Sequence, residues 1–199
     1  MADADEDTNE ALMLRFAQGD APAFETLYSR HKGPLFRYFQ RQSDAAHAEE
    51  LFQEVWMRVI KARGRYTVDA KFTTWLYRIA HNRLVDHYRA CGRRMEQSLD
   101  QLQNDSSSED SSAPTHQHLL ADAPSARPDE TAFRQQQLAS FTAALAALPA
   151  AQREAFILRE DGGLSLDEIA QTTGVGRETA KSRLRYALSR LRKTLEPWS

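Results

Sequence analysis

HAEELFQEVWMRVIKA (residues 47–62) and FTTWLYRIAHNRLVDHYRACGRR (residues 72–94) are the stretches that decide the fold. In the first, Ala48, Leu51, Phe52, Val55, Trp56, Val59 and Ile60 recur at steps of three and four, the apolar stripe of a 3.6-residue helix. The second has the same period, with Phe72, Trp75, Leu76, Ile79, Ala80 and Leu84 on its buried side. Its remaining surface carries Lys71, Arg78, Arg83, Arg89, Arg93 and Arg94, and Trp75, Tyr77, His81, Asn82, His87 and Tyr88 sit among them. Cations interleaved with planar and amide side chains suit a surface that meets phosphates and unstacked bases. The polar joint GRYTVDAK, residues 64–71, separates the two helices.

Toward the N-terminus, Leu12, Met13 and Phe16 predict a short helix ended by Gly19. Asp20 then caps a new helix that tolerates Pro22 in its first turn. Gly33 and Pro34 are expected to interrupt or bend this run before Leu35, Phe36, Tyr38 and Phe39 resume it. Residues 1–9 read as a disordered acidic tail and residues 10–95 as one helical domain.

Beyond that domain the composition changes. Residues 96–130, with NDSSSEDSSAPT at 104–115, read as an acidic linker of little fixed structure. From residue 131 the helical period returns, and residues 131–196 form a second domain. Ser165 and Glu168 in SLDE make a capping box, and a short helix then stops at Thr173, Gly174 and Val175. A basic helix follows, with Ala180, Leu184, Ala187, Leu188 and Leu191 inward. This is the helix-turn-helix order, whose second helix is the one that enters a major groove. Arg177, Glu178 and Lys181 lie near its entering end as base-edge readers, while Arg183 and Arg185 suit phosphates or flanks.

The formal net charge of -2 hides a strong segregation. Residues 58–94 hold ten lysines and arginines against two aspartates, about +8; residues 96–130 come to about -7; residues 174–195 come to about +6. Two basic modules flank an acidic connector, and local charge governs phosphate contact. No run of eighteen apolar residues occurs and the N-terminus is acidic, so a cytoplasmic protein without direct membrane insertion is expected. One cysteine, Cys91, makes no intramolecular disulfide and no metal site alone. No phosphate-binding glycine loop and no His/Cys cluster at ligand spacing is present, so neither enzyme chemistry, a cofactor nor a metal is expected.

AEELFQEVWMRVIKA, FTTWLYRIAHNRLVDHYR and LPAAQREAFILREDGGLSLDEIAQTTGVGRETAKSRLRYALSRLR together resemble an extracytoplasmic-function (ECF) RNA polymerase sigma factor of the sigma-70 family. The resemblance implies an all-α protein of two small domains, sigma region 2 and a region 4 helix-turn-helix, joined by a flexible acidic linker. It further implies binding to core RNA polymerase and promoter DNA, opening of the −10 element, and restraint by an anti-sigma factor. In that reading Glu49, Glu50, Leu51, Gln53, Glu54 and Val55 bind core polymerase. Arg65, Lys71, Thr74, Trp75, Arg78, Asn82 and Arg89 contact the −10 element, with residues 64–71 as the loop that receives a flipped base. Arg177, Glu178, Thr179, Lys181, Ser182, Arg183 and Arg185 contact the −35 element. The chain departs from the usual family wording at Gly176, Arg177 and Glu178, so promoter preference does not carry over. A free-standing helix-turn-helix regulator acting without polymerase is the competing reading.

Overall fold

The computed structural model describes residues 8–102 and 128–195. Eight α-helices occur there and no strand: α1 Asn9–Ala17, α2 Ala21–Gln40, α3 Ala45–Ala62, α4 Phe72–Leu102, α5 Pro128–Ala146, α6 Ala150–Glu160, α7 Leu166–Thr173 and α8 Arg177–Leu195. Residues 1–7 of the acidic tail and 103–127 of the acidic linker lie outside the described residues, whereas Asn9 belongs to α1 and the two ends of the linker belong to α4 and α5.

Short polar side chains start several helices by accepting the orphan N–H groups of the first turn. Asp20 accepts from Ala23 N at 3.2 Å, and Asp44 accepts from His47 N at 3.0 Å. Helix α4 takes its acceptor from elsewhere: Phe72 N donates to Glu10 Oε1 of α1 at 2.5 Å. The 3-10 turn Arg63–Arg65 follows α3 directly, and Tyr66 folds back into the core beside Phe72 and Trp75.

Two boundaries differ from those expected. Helix α2 runs without a break through Pro34. A proline removes one backbone donor and crowds the preceding turn, and here Leu35, Tyr38 and Phe39 beyond it are fully buried, which holds the helix together. Helix α4 continues past Arg94 to Leu102, so the second segment ends later than its apolar stripe. Pro128 opens α5, a position where its missing N–H costs nothing.

Helices α1 to α4 enclose an aromatic core. Trp56 stands at its centre, 4.9 Å from the Tyr28 ring, 5.7 Å from Phe24 and 6.3 Å from Phe52. His31 faces Phe72, centroids 5.2 Å apart, and its Nε2 is buried without a partner. Burial, reinforced by the Arg30 charge, pulls its pKa down to about 4. An unfolded histidine titrates near 6.5, so between those values the unfolded chain binds a proton that the folded chain refuses. Stability should therefore fall as the pH drops from 6.5 toward 4, by about 2 kcal/mol. Urea midpoints at pH 7 and pH 4.5 check this, and His31→Phe should flatten that part of the slope.

Helices α5 to α8 build the second unit around Leu145, Leu148, Ile157, Leu158, Leu164, Ile169, Ala180, Ala187 and Leu191. The two units share one continuous core, because α7 packs along α4. The turn between α6 and α7 reaches Tyr77 of α4 at Gly162. A Cβ there would lie 2.7 Å from Leu158 O, 2.9 Å from Leu164 Cδ1 and 3.1 Å from the Tyr77 ring, so only glycine permits this approach.

Candidate nucleic-acid and polymerase interfaces

Helix α3 presents two kinds of residue where the sequence suggests one. Glu49, Glu50 and Gln53 are exposed, whereas Leu51 and Val55 are turned into the core. Gln53 donates to Glu49 Oε1 at 3.3 Å, an i, i+4 contact that fixes both on one face. Glu54 is half-buried and tied to Arg83 of α4, which also lies 3.5 Å from Asp86. Beside this face, Tyr28, Lys32, Gly33, Phe36, Glu49, Phe52 and Gln53 line an open cleft of about 560 Å³ between α2 and α3. The cleft has an aromatic floor and polar edges, a combination that takes the apolar side of a helix. The aromatic floor escaped the sequence reading, although Phe52 lies in the first quoted stripe and Phe36 in the apolar run after Pro34.

On α4 the residues expected at the −10 element fall into three groups. Arg78, Asn82 and Arg89 are exposed, as is Arg65 on the 3-10 turn. Trp75 is half-buried, 5.1 Å from the Tyr66 ring and 5.9 Å from Phe72, so it forms the wall between the core and the polar joint. Within that joint Thr67 Oγ1 donates to Asp69 Oδ2 at 2.5 Å, and Val68 is exposed. Thr74 is 2 % exposed and lies on the side of α4 away from solvent. Lys71 is exposed, and its Nζ lies 3.1 Å from Glu168 Oε1 of α7.

Two aromatic and imidazole side chains read as surface residues are placed elsewhere. Tyr77 is 2 % exposed and packs edge-to-face on Tyr38, centroids 5.4 Å apart. His81 is largely buried, its Nδ1 2.7 Å from Glu154 Oε1 of α6. Tyr88 is exposed and donates to the Gln42 carbonyl of the α2–α3 turn. His87 sits 3.6 Å from Cys91 Sγ and 4.5 Å, ring to ring, from His47. Among the described residues no group of three or more His, Cys, Asp or Glu is arranged to hold a metal ion.

The second unit contains the expected helix-turn-helix. Ser165 Oγ accepts from Glu168 N at 3.3 Å, and Glu168 Oε2 accepts from Ser165 N at 2.7 Å, closing the capping box. Burial alone would raise the Glu168 pKa; its bonds to Ser165 and the Lys71 ammonium overcome that and hold it at about 2. The carboxylate is thus charged at any neutral pH. Gly174 ends α7 in the left-handed conformation, φ 66, which turns the chain into α8. Arg177, Glu178, Thr179, Lys181 and Arg185 are exposed on α8, and Ser182 and Arg183 are half-buried. Arg177 Nε lies 2.8 Å from Asp167 Oδ1, and Lys181 Nζ lies 3.7 Å from Glu178 Oε2. The Arg185 guanidinium stacks over the exposed Tyr186 ring at 5.1 Å. Lys71, Glu168, Asp167 and Arg177 therefore join the basic side of α4 to the start of α8 through the acids of α7.

This helical architecture and these two surfaces have counterparts in known proteins. Residues 27–94 match the family model of Sigma-70 region 2, and residues 144–193 match that of Sigma-70, region 4. The RNA polymerase sigma-H factor of Pseudomonas aeruginosa is 31% identical over 193 residues, covering 96% of both chains. The ECF RNA polymerase sigma-E factor of Haemophilus influenzae is 30% identical over 198 residues, covering 98% of both. The fold is similar to that of the sigma factor RpoE of Bartonella quintana, solved in complex with the anti-sigma factor NepR. Its TM-score is 0.66 at 24% identity, over 87% of this chain and 96% of that one. Both domain families in this order, with relatives matched along nearly their whole length, place the chain in the sigma-70 family as an ECF RNA polymerase sigma factor.

Proposed function

We propose that the chain divides promoter recognition between two units, residues 10–95 at the −10 element and residues 131–196 at the −35 element. The observation that carries this division is the placement of exposed cations and amides. Arg78, Asn82 and Arg89 lie along α4, and Thr179, Lys181 and Arg185 lie along the helix after the Gly174 turn. The α8 residues fix upstream duplex by groove and phosphate contacts, while α4 and the joint at residues 64–71 hold bases drawn from the stack. Exposing an unpaired base costs a few kcal/mol, which stacking and charge on a prepared surface offset.

Core polymerase docks on the exposed side of α3, through Glu49, Glu50 and Gln53, with the aromatic cleft beside them. Leu51 and Val55 support that face from within, and Glu54 braces it against α4 through Arg83. The initiation factor itself carries no catalytic group; bond formation belongs to the polymerase, in the cytoplasm. An anti-sigma factor is the expected inhibitor, as the solved complex of RpoE with NepR illustrates for a protein of like fold.

Transcription in vitro with core polymerase, followed by mapping of start sites, tests the whole reading. A chain that directs no start, yet shifts palindromic duplex by itself, would instead be a free-standing regulator. Replacing Lys181 and Arg185 with alanine should weaken upstream duplex binding by about tenfold or more, each lost contact being worth roughly 1–3 kcal/mol at a base edge and less at a phosphate. Core polymerase binding should stay within a factor of about two, since α8 and α3 lie in different units. Equal losses in the two assays would refute the division.

A further inference from the structure

We infer that Glu178 and Lys181 of α8 form one unit that reads a C·G base pair, a step that rests on the assignment of α8 to upstream duplex. Glu178 stands in the first turn of α8 and is the one acid of that helix, among seven lysines and arginines. Its side chain is 78 % exposed, and its Oε2 lies 3.7 Å from Lys181 Nζ, three residues on and so on the same side of the helix. Arg177, the other cation of the first turn, is taken up by α7, its Nε 2.8 Å from Asp167 Oδ1. The entering end of α8 therefore offers an exposed carboxylate and an exposed ammonium side by side.

A carboxylate only accepts hydrogen bonds, and phosphates repel it. Lys181 offsets its charge, which admits it to a groove walled by phosphates. On a helix laid in the major groove its place is then a base edge that donates, and only cytosine N4 and adenine N6 donate there. In a C·G pair the N4 amino group lies next to guanine O6, which together with N7 gives an ammonium two acceptors. The donor and acceptor edges of that base pair thus stand side by side, as the acceptor and donor do on α8. An A·T pair answers less well. Adenine N7 sets an acceptor beside the amino group that would meet the carboxylate, and the thymine methyl crowds the single O4 left to the lysine. The reversed pairs, G·C and T·A, set the carboxylate against O6 or O4 and the ammonium against an amino group. The order of preference at this position is C·G, then A·T, then the two reversed pairs.

Holoenzyme assembled from core polymerase and the full-length chain transcribes a promoter library whose upstream element is randomised, and transcripts are counted by upstream sequence. One position should favour C·G over T·A by about tenfold, the scale of one good base contact. Glu178→Ala should level that position and leave the others as they were. Glu178→Gln should move its preference to A·T, because an amide both donates and accepts and so matches adenine N6 and N7. On a synthetic promoter, 7-deazaguanine at that position removes the N7 acceptor and should lower output from wild type several-fold, with no further loss in Lys181→Ala. Both Glu178 variants should melt close to wild type, since the side chain is exposed. An acid that served only the helix dipole would instead shift the melt and leave the base preference unchanged. A C·G preference that survives Glu178→Ala, a Glu178→Gln variant that keeps cytosine, an altered position that favours another pair in wild type, or equal 7-deazaguanine losses in wild type and Lys181→Ala would overturn the Glu178–Lys181 unit and leave the assignment of α8 to duplex standing. A wild-type library with no favoured base at any upstream position would overturn both.

Discussion

Asn82→Ala should lower promoter opening by about one to two orders of magnitude while leaving the melting temperature unchanged. Trp75→Ala should lower opening at least as far and reduce the melting temperature as well. The two differ because of where α4 puts them. Asn82 is exposed and touches nothing that the fold requires, so its loss removes only an amide that meets a base, worth roughly 1–3 kcal/mol. Trp75 is wedged between Tyr66 and Phe72 and shapes the joint that leads into α4, so truncation removes a stacking face and opens a gap in the core. Permanganate reactivity of thymines in the opened region reads the first quantity, and a thermal scan of the free chain reads the second. Wild-type reactivity in Asn82→Ala would take that residue out of the opening surface.

Trp56→Ala should cost about 3–5 kcal/mol, most of the stability a domain of this size possesses. Its indole is 5 % exposed and contacts Phe24, Tyr28 and Phe52, side chains from α2 and α3. Tyr28 and Phe52 also floor the cleft beside Glu49 and Gln53, so the same cavity would loosen the polymerase face. The expected result is a lower urea midpoint together with loss of core polymerase binding, whereas Trp56→Phe should retain binding at a smaller cost in stability. A wild-type midpoint for Trp56→Ala would mean that the cluster does not hold α2 to α3.

What the sequence revealed follows from how far apart the contacting residues are. The stripe of α3 was legible because Leu51, Val55 and Val59 point at one core with one period. Likewise the capping box and Gly174 turn are local chemistry and appear where the letters place them. Helix α4 misled the reading at Tyr77 and His81 because it is buried on two sides. Phe72, Leu76, Ala80 and Leu84 face the first core; Tyr77 and His81, four apart, face the α6–α7 turn and α6. Their partners lie more than seventy residues away in sequence, so a single-helix period cannot announce them. At Pro34, where an interruption or a bend was expected, the helix is not interrupted: the buried residues on either side of it outweigh the local signal for a break.

The carboxylate of Glu10 gives a practical reason not to trim the chain to its recognised domain. The region 2 match begins at residue 27, yet the acceptor that receives the first amide of α4 sits seventeen positions earlier, on α1. A chain shortened to that boundary would keep every side chain assigned to DNA and polymerase, but its α4 would begin with an unanswered N–H, and the joint at residues 64–71 would lose the anchor that aims it. Such a fragment would also lose the buried Leu12, Met13 and Ala23 and the Phe24 ring that meets Trp56, so weak strand binding by it would say little about the intact factor.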